Sequence, residues 1–173
     1  NGRLTDFRYG HELVTGGCID SRTAAPHDCF FAVAGDRTHG VLFADQAIAR
    51  GASCVVTDSA GLGPKPSKSV SAVPSLAALD SSETDVRIIR VADSKVALQS
   101  LARWNRNQSD ALVVGVTGSV GKTTTRQLIT RVLESRFSGT QSQRNYNNEL
   151  GVPLSLLQLN PEHDFAVLEL AAS

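Results

Sequence analysis

Short continuous apolar runs recur along the chain, and the segments between them carry apolar residues at helical spacing. The runs are rich in Val, Ile and Phe and are bounded by Gly or Asp. Runs of this length that lack alternation are typical of strands buried on both faces, as in parallel sheets. The pattern predicts strands at residues 29–34, 53–57, 86–91, 111–116 and 165–170.

Helices are predicted between these strands, with start signals at two of them. Asp93 or Ser94 can cap one helix, and Pro153 fits the first turn of another. Strands that alternate with helices predict α/β units with right-handed crossovers. The expected helices cover residues 41–50, 94–107, 123–137 and 153–159.

Two polar stretches set the expected domain organisation. Residues 59–85 are mostly Ser, Ala, Pro, Gly and Leu, which is typical of a long surface loop. Residues 106–110 are polar and precede a new strand. We therefore expect one α/β domain over 1–109 and the first part of a second over 110–173.

The charge balance and the lengths of the apolar runs argue against nucleic acid and membranes as partners. Lys and Arg number 17, as do Asp and Glu, so the formal net charge is zero. Such a chain lacks the overall basic field of proteins that coat nucleic acid or anionic membranes. No apolar run approaches the roughly 18 residues that span a bilayer, and residues 1–10 are too polar for a signal peptide. We expect no nucleic-acid partner and no membrane insertion.

The sulfur-containing residues point to a reducing compartment and to a trimmed chain. The cysteines, Cys18, Cys29 and Cys54, form no C-x-x-C pair, so we expect free core thiols. The sequence has no Met and begins with Asn1. We therefore expect a fragment of a longer protein.

The strongest chemical signal is a glycine-rich segment that follows the strand predicted at 111–116 and opens a helix. Such a context is what a phosphate-binding loop requires, because glycines let the backbone approach phosphate oxygens at a helix N-terminus. We expect Lys122 to reach the β- and γ-phosphates and the Thr123 hydroxyl to bind Mg²⁺. A chance glycine turn before a helix is the alternative. The loop reads Thr117-Gly118-Ser119-Val120-Gly121-Lys122-Thr123-Thr124.

A carboxylate belongs with this loop. Glu169 lies near the end of the run at 165–170. Ligands of open α/β sheets bind outside the carboxyl ends of the strands, so Glu169 is expected to hold Mg²⁺ or its water. A solvated glutamate at a strand end is the alternative.

Three segments of the chain resemble the Mur ligase family. The loop at 117–124 is similar to that family's T-G-x-x-G-K-[ST] loop, and residues 145–153 resemble the N-x-N-N-x-x-G-V-P segment of the branch that adds D-Ala-D-Ala. Asp20-Ser21-Arg22, followed by Phe30-Phe31-Ala32-Val33-Ala34-Gly35, resembles the D-S-R and L-F-V-A-x-x-G signature of the family's N-terminal domains. Residues 35–40 correspond to the family's G-x-x-x-D-G-H stretch, with His39 in place of its Asp.

The resemblance implies an ATP- and Mg²⁺-dependent ligase of bacterial cytoplasm. Its N-terminal α/β domain would hold UDP-MurNAc-tripeptide, and a P-loop ATPase domain with a parallel sheet would follow. The ligase would join D-Ala-D-Ala to the tripeptide through an acyl phosphate and act as a monomer when full length, whereas the fragment would be inactive. The implied catalytic residues are Lys122, Glu169 and Asn148, and the implied metal ligands are Thr123 and Glu169. The implied ATP site is the loop at 117–124 together with Asn147. The implied substrate contacts are Asp20, Ser21, Arg22, Arg37 and His39.

Other interpretations stay open. Asn147 and Asn148 would also suit a turn before a helix, and residues 20–22 an Asx turn with a surface arginine. The function could be that of a sister ligase adding a diamino acid to UDP-MurNAc-dipeptide, or of a nucleotide-binding module that does not ligate. The arginines of the helix after the loop, Arg126, Arg131 and Arg136, are expected to be solvated.

Overall fold

The computed structural model describes residues 14–35, 38–58, 86–143 and 146–171. The expected loop at 59–85 and Arg37 lie outside the described residues. Contacts divide the chain into two compact units, Asn1–Ala97 and Leu98–Ser173. The domain boundary expected near residue 109 stays a prediction.

The first unit contains a parallel sheet with the strand order β1-β2-β3-β4. A short 3-10 helix at Ser21–Thr23 lies between β1 and β2. A second, at Gly40–Phe43, follows β2 and leads directly into helix α1 at Ala44–Ala49. The helix expected over 41–50 therefore starts as a 3-10 turn. The strands are β1 at Gly16–Cys18, β2 at Asp28–Ala32, β3 at Cys54–Asp58 and β4 at Arg87–Val91.

The core of this unit forms where small residues of α1 meet the central strands. Ala44 and Ala47 are three positions apart, so they share one helix face, and both are buried. Phe30 of β2 and Val55 of β3 are fully buried in the same cluster. Close packing of this kind supplies most of the stability of an α/β layer.

The second unit contains a parallel sheet with the order β5-β7-β6. Helix α2, Ser94–Asn107, begins in the first unit and ends in this one, and its residue Asn105 donates to the carbonyls of Leu156 and Leu159. The remaining elements are β5 at Leu112–Val116, helix α3 at Lys122–Glu134, β6 at Gly139–Gln141, helix α4 at Gly151–Leu156 and β7 at Phe165–Glu169.

Strand β7 is the centre of this sheet, and every residue in it is buried. Ala166 and Leu168 pack with Leu159 on one face, whereas Phe165 and Val167 pack with Val116 on the other. Coverage on both faces explains why the run lacks alternation, as parallel strands require. The predicted α/β class with parallel sheets is confirmed. Within the described part of the chain, no helix combines the length and apolar character needed to cross a bilayer.

Candidate functional site

The glycine-rich loop joins the end of β5 to the start of α3. Gly118 and Gly121 have positive φ angles of 142° and 78°. Side chains with a Cβ rarely adopt these angles, so both positions need glycine. Gly121 immediately precedes the first helical residue, Lys122. Helix α3 therefore begins directly after the glycine turn, and the amides of its first turn have no carbonyl partner within the helix, as in sites that bind phosphate at a helix start.

Lys122 folds back over the loop that precedes it. Its Nζ donates a hydrogen bond to the carbonyl oxygen of Gly118 over 2.6 Å. Around it, Thr117, Ser119 and Thr124 are exposed, and Val120 is 92% exposed. An apolar side chain at the loop tip has no hydrogen bond to offer, so at Val120 only the backbone could bind a phosphate.

Two of the predicted site residues, Thr123 and Asn147, contact Glu169. It ends β7 and is only 2% exposed. Thr123 Oγ1 donates to its Oε2 over 2.9 Å, and Asn147 Nδ2 donates to its Oε1 over 3.0 Å. The side chain is therefore hydrogen-bonded within the fold, and the interpretation as a solvated strand-end glutamate is wrong.

Sheet register explains this convergence. Val116, the last residue of β5, lies beside Glu169, and Leu170 donates its N–H to the Val116 carbonyl over 2.8 Å. The Glu169 N–H donates to Ser142 Oγ, just after β6, over 3.1 Å. Because all these strands are parallel, their carboxyl ends share one edge of the sheet, where ligands of open α/β sheets bind.

Arg126 is buried rather than solvated, so the expectation for this arginine is wrong. It is 4% exposed, and its Nε lies 3.7 Å from Oε2 of Glu169. One guanidinium NH group also donates to the side chain of Gln141 on β6. Arg126 follows Thr123 by three positions, so both share a helix face, and this spacing was the available signal. Arg131 and Arg136 are exposed as expected.

The two predicted asparagines differ in what they contact. Asn147 reaches Glu169, whereas Asn148 Oδ1 accepts from the backbone N–H groups of Leu150 and Gly151 at 3.2 and 2.8 Å. Asn148 therefore satisfies free amides at the start of α4, as a helix-capping side chain does. None of the described hydrogen bonds joins Asn148 to Glu169, so no direct contact supports the catalytic role expected of Asn148.

In the first unit, residues 20–22 form a capped turn. The Asp20 carboxylate accepts from the backbone and guanidinium of Arg22, with the closest ion-pair distance at 2.6 Å. Ser21 is buried, and its hydroxyl donates to Gln46 on α1 over 2.6 Å. Arg22 is the accessible member, with 76% of its side chain exposed.

His39 is held by both ring nitrogens. Its Nδ1 accepts from the Val41 N–H over 3.2 Å, so its Nε2 carries the hydrogen that faces Asp58 Oδ1 at 3.1 Å. The other Asp58 oxygen accepts from Ser94 Oγ over 3.0 Å. Nothing in the sequence indicates that Asp58 and Ser94 lie beside His39, because both are far from it along the chain. This network ties the turn at residues 38–41 to the end of β3.

The oxygen atoms beside the loop suit a divalent cation. Mg²⁺ prefers hard oxygen ligands and keeps several waters, and it commonly takes one or two protein ligands plus phosphate oxygens. The Thr123 hydroxyl and the Glu169 carboxylate supply such atoms at adjacent positions. Among the described residues there is no group of three or more His, Cys, Asp or Glu that could hold a metal ion alone.

Family comparisons match both parts of the chain. Residues 14–106 match the family described as Mur ligase family, catalytic domain, and residues 116–173 match the family described as Mur ligase middle domain. The second match includes the glycine-rich loop, Asn147 and Glu169.

Comparisons with single proteins agree. A UDP-N-acetylmuramoyl-tripeptide–D-alanyl-D-alanine ligase from Synechocystis is 40% identical over 89% of this chain and 30% of its own length. A crystal structure of MurF from Acinetobacter baumannii superposes with a TM-score of 0.73 at 29% identity, covering 99% of this chain and 33% of that one. MurF from Thermotoga maritima in complex with ADP gives a TM-score of 0.65 at 32% identity, covering 94% and 33%.

The chain thus spans about a third of the length of these relatives. The family match extends over more than half of its own residues, on both sides of the predicted domain boundary. On this evidence the chain belongs to the Mur ligase family.

Proposed function

We propose that the protein is an ATP-dependent ligase that joins D-Ala-D-Ala to UDP-MurNAc-tripeptide. The observation that carries the proposal is the buried Glu169 carboxylate, which accepts hydrogen bonds from Thr123 and Asn147 beside a glycine-rich loop. Support for the substrates comes from the relatives, which are named for this reaction, and support for the nucleotide comes from the ADP complex of the Thermotoga maritima protein.

The chemistry must bring a peptide carboxylate up to a triphosphate, and these anions repel each other. Lys122 and the amides at the start of α3 would place positive charge against the phosphates. Thr123 and Glu169 would hold Mg²⁺, which when bound neutralises phosphate charge as a Lewis acid. Phosphate oxygens would replace the Gly118 carbonyl as the partner of Lys122 Nζ.

The proposed reaction has two steps. An oxygen of the tripeptide's terminal carboxylate bonds to the γ-phosphorus of ATP, and the bond from that phosphorus to the bridging oxygen of ADP breaks. The amine nitrogen of D-Ala-D-Ala then bonds to the carbonyl carbon of the acyl phosphate. Phosphate leaves, and the nitrogen loses a proton as the peptide bond forms.

We assign the uridine diphosphate end of the substrate to the domain proposed over 1–109, and ATP to the part over 110–173. Arg22 is the most direct proposed contact, because its exposed guanidinium can pair with a diphosphate. Ser21 and His39 are engaged within the fold, so they would act by shaping the turns that face the substrate. Asp20 would orient Arg22, and Arg37 is a further proposed contact outside the described residues.

We further propose that the enzyme works as a monomer in the bacterial cytoplasm. The test of its function is ADP release by the full-length natural protein with Mg²⁺-ATP and matched substrate pairs. Release is expected with UDP-MurNAc-tripeptide and D-Ala-D-Ala and should be lost in Lys122→Ala. Release only with UDP-MurNAc-dipeptide and a diamino acid would identify the sister ligase. Nucleotide binding without release from any pair would leave a module that does not ligate.

A further inference from the structure

A buried arginine lies against the proposed metal site and is unused by the function above. Arg126 is 4% exposed, and Glu169 is 2% exposed. Charged side chains are almost never buried without a partner, because removing them from water costs several kcal/mol. The ion pair from Arg126 Nε to Glu169 Oε2, at 3.7 Å, supplies the opposite charge for both groups, while Nε itself has no hydrogen-bond partner among the described residues.

The carboxylate of Glu169 is contacted by side chains from two parts of the chain, the segment after β6 and helix α3. Asn147, in the segment after β6, donates to Oε1, while Thr123 and Arg126 lie one turn apart on α3 and both face Oε2. Contacts to both oxygens fix the rotation of the carboxylate as well as its position. Arg126 thus adds a second contact, by charge, from α3 to the oxygen that Thr123 already hydrogen-bonds.

Arg126 is itself held in place. A guanidinium NH group donates to Gln141 Oε1, an atom that also lies 3.4 Å from the Thr130 hydroxyl. Gln141 lies on β6 and pairs in register with Val167, two residues before Glu169. The planar guanidinium can therefore face the amide of one strand and the carboxylate of the next, which a lysine ammonium cannot reproduce geometrically.

We infer that Arg126, held by Gln141, is a positioning residue that orients the Glu169 carboxylate for Mg²⁺. The inference rests on the proposed function, since it takes Glu169 as a metal ligand. Partners that orient metal ligands typically change metal affinity by 10- to 100-fold when they are removed. Nucleotide binding without the metal depends on the loop and Lys122, so Arg126 should affect it little.

The test uses the full-length natural protein and measures ATP affinity by calorimetry, first with EDTA and then across a Mg²⁺ titration. Arg126→Met should need about tenfold more Mg²⁺ for half-maximal effect, while its metal-free ATP affinity stays close to that of wild type. Arg126→Lys should recover part of the loss because it keeps the charge. Arg131→Met, on the exposed side of the same helix, is the matched control and should behave as wild type.

An unchanged Mg²⁺ requirement in folded Arg126→Met would overturn the inference, as would an equal loss of metal-free and metal-bound affinity. If Arg126→Met does not fold, Gln141→Leu replaces it, because that variant keeps both charges. It should raise the Mg²⁺ requirement by less than the roughly tenfold expected of Arg126→Met, and no change would again overturn the inference. A wild-type protein whose ATP affinity ignores Mg²⁺ would instead refute the proposed function, and the inference with it.

Discussion

The hydroxyl of Thr123 and the carboxylate of Glu169 are joined by a 2.9 Å hydrogen bond although 46 positions separate them in the chain. The bond links the first turn of α3 to the carboxyl end of β7. Both groups carry hard oxygen atoms beside a glycine-rich loop, so the fold brings together the two protein ligands of the proposed magnesium–nucleotide site.

The bond between Thr123 and Glu169 should be measurable as a coupling free energy. Hydrogen bonds to charged groups contribute about 1.5–3 kcal/mol, so Thr123→Val and Glu169→Gln should each lower the free energy of unfolding. The double variant should lose about 1 kcal/mol less than the sum. Urea unfolding of the four proteins measures this, with Thr125→Val as an exposed control. Strict additivity would contradict a direct interaction.

Lys122 should carry most of the charge that the protein sets against the phosphates. Lys122→Ala should weaken ATP binding about 100-fold, because a charge-assisted hydrogen bond of up to about 3 kcal/mol is lost. Its stability should change little, since the lost partner is one loop carbonyl. Fluorescence titration with a labelled nucleotide measures the affinity. Arg131→Ala, which is exposed on α3, should retain the wild-type value.

Gly151 should tolerate no side chain. A Cβ at this position would lie 2.5 Å from the Tyr146 Cα, and this contact with backbone cannot be relieved by a rotamer change. Gly151→Ala should destabilise the protein by about 1–3 kcal/mol. It should also weaken Mg²⁺-dependent ATP binding, because Tyr146 precedes Asn147. Denaturant unfolding and calorimetry measure the two effects, with Gln108→Ala as an exposed control, and wild-type stability would refute the close approach.

Cys18 should make stability fall at alkaline pH. Burial, followed by the charges of Asp28 and Asp20, raises the pKa of Cys18 to about 12 from an unfolded value of 9.0. Between these values the unfolded chain loses the proton and the folded chain keeps it, so Cys18 stabilises the fold fully below pH 9 and progressively less above it. The slope is about 1.4 kcal/mol per pH unit.

The measurement is the free energy of unfolding of wild type and Cys18→Ala from pH 8 to 11. The advantage of wild type should shrink with rising pH, because the variant lacks the titrating thiol. A constant difference would show that the folded and unfolded thiols titrate alike.

The apolar runs predicted the architecture because parallel strands are buried on both faces and so need continuous apolar sequence. All five predicted strands are present, each with both ends within two residues of the expected positions. The pattern missed β1 and β6, which have three residues each, contain glycine and lie at sheet edges. Such strands form because a neighbouring strand offers free hydrogen-bonding groups, and local sequence carries little signal of that.

The site was predicted only in part, for physical reasons. The positions of the glycine-rich loop, Lys122 and Glu169 could be predicted, because the order of strand, loop and helix fixes the edge of the sheet at which they meet. Arg126 was misjudged because its charge favours solvent, whereas its spacing from Thr123 places it on the face of α3 that meets Glu169, where it is buried in an ion pair. Adjacent asparagines cannot be told apart by spacing, and only the fold distinguishes Asn147 at the carboxylate from Asn148 at the helix start.

The most direct test of the central claim follows an oxygen atom through the reaction. The full-length natural protein is given Mg²⁺-ATP, D-Ala-D-Ala and UDP-MurNAc-tripeptide labelled with ¹⁸O in its terminal carboxylate, and the products are analysed by mass spectrometry. The account predicts the pentapeptide product, with one ¹⁸O in each inorganic phosphate released, because the carboxylate oxygen attacks phosphorus. Unlabelled phosphate, or ADP without pentapeptide, would contradict it.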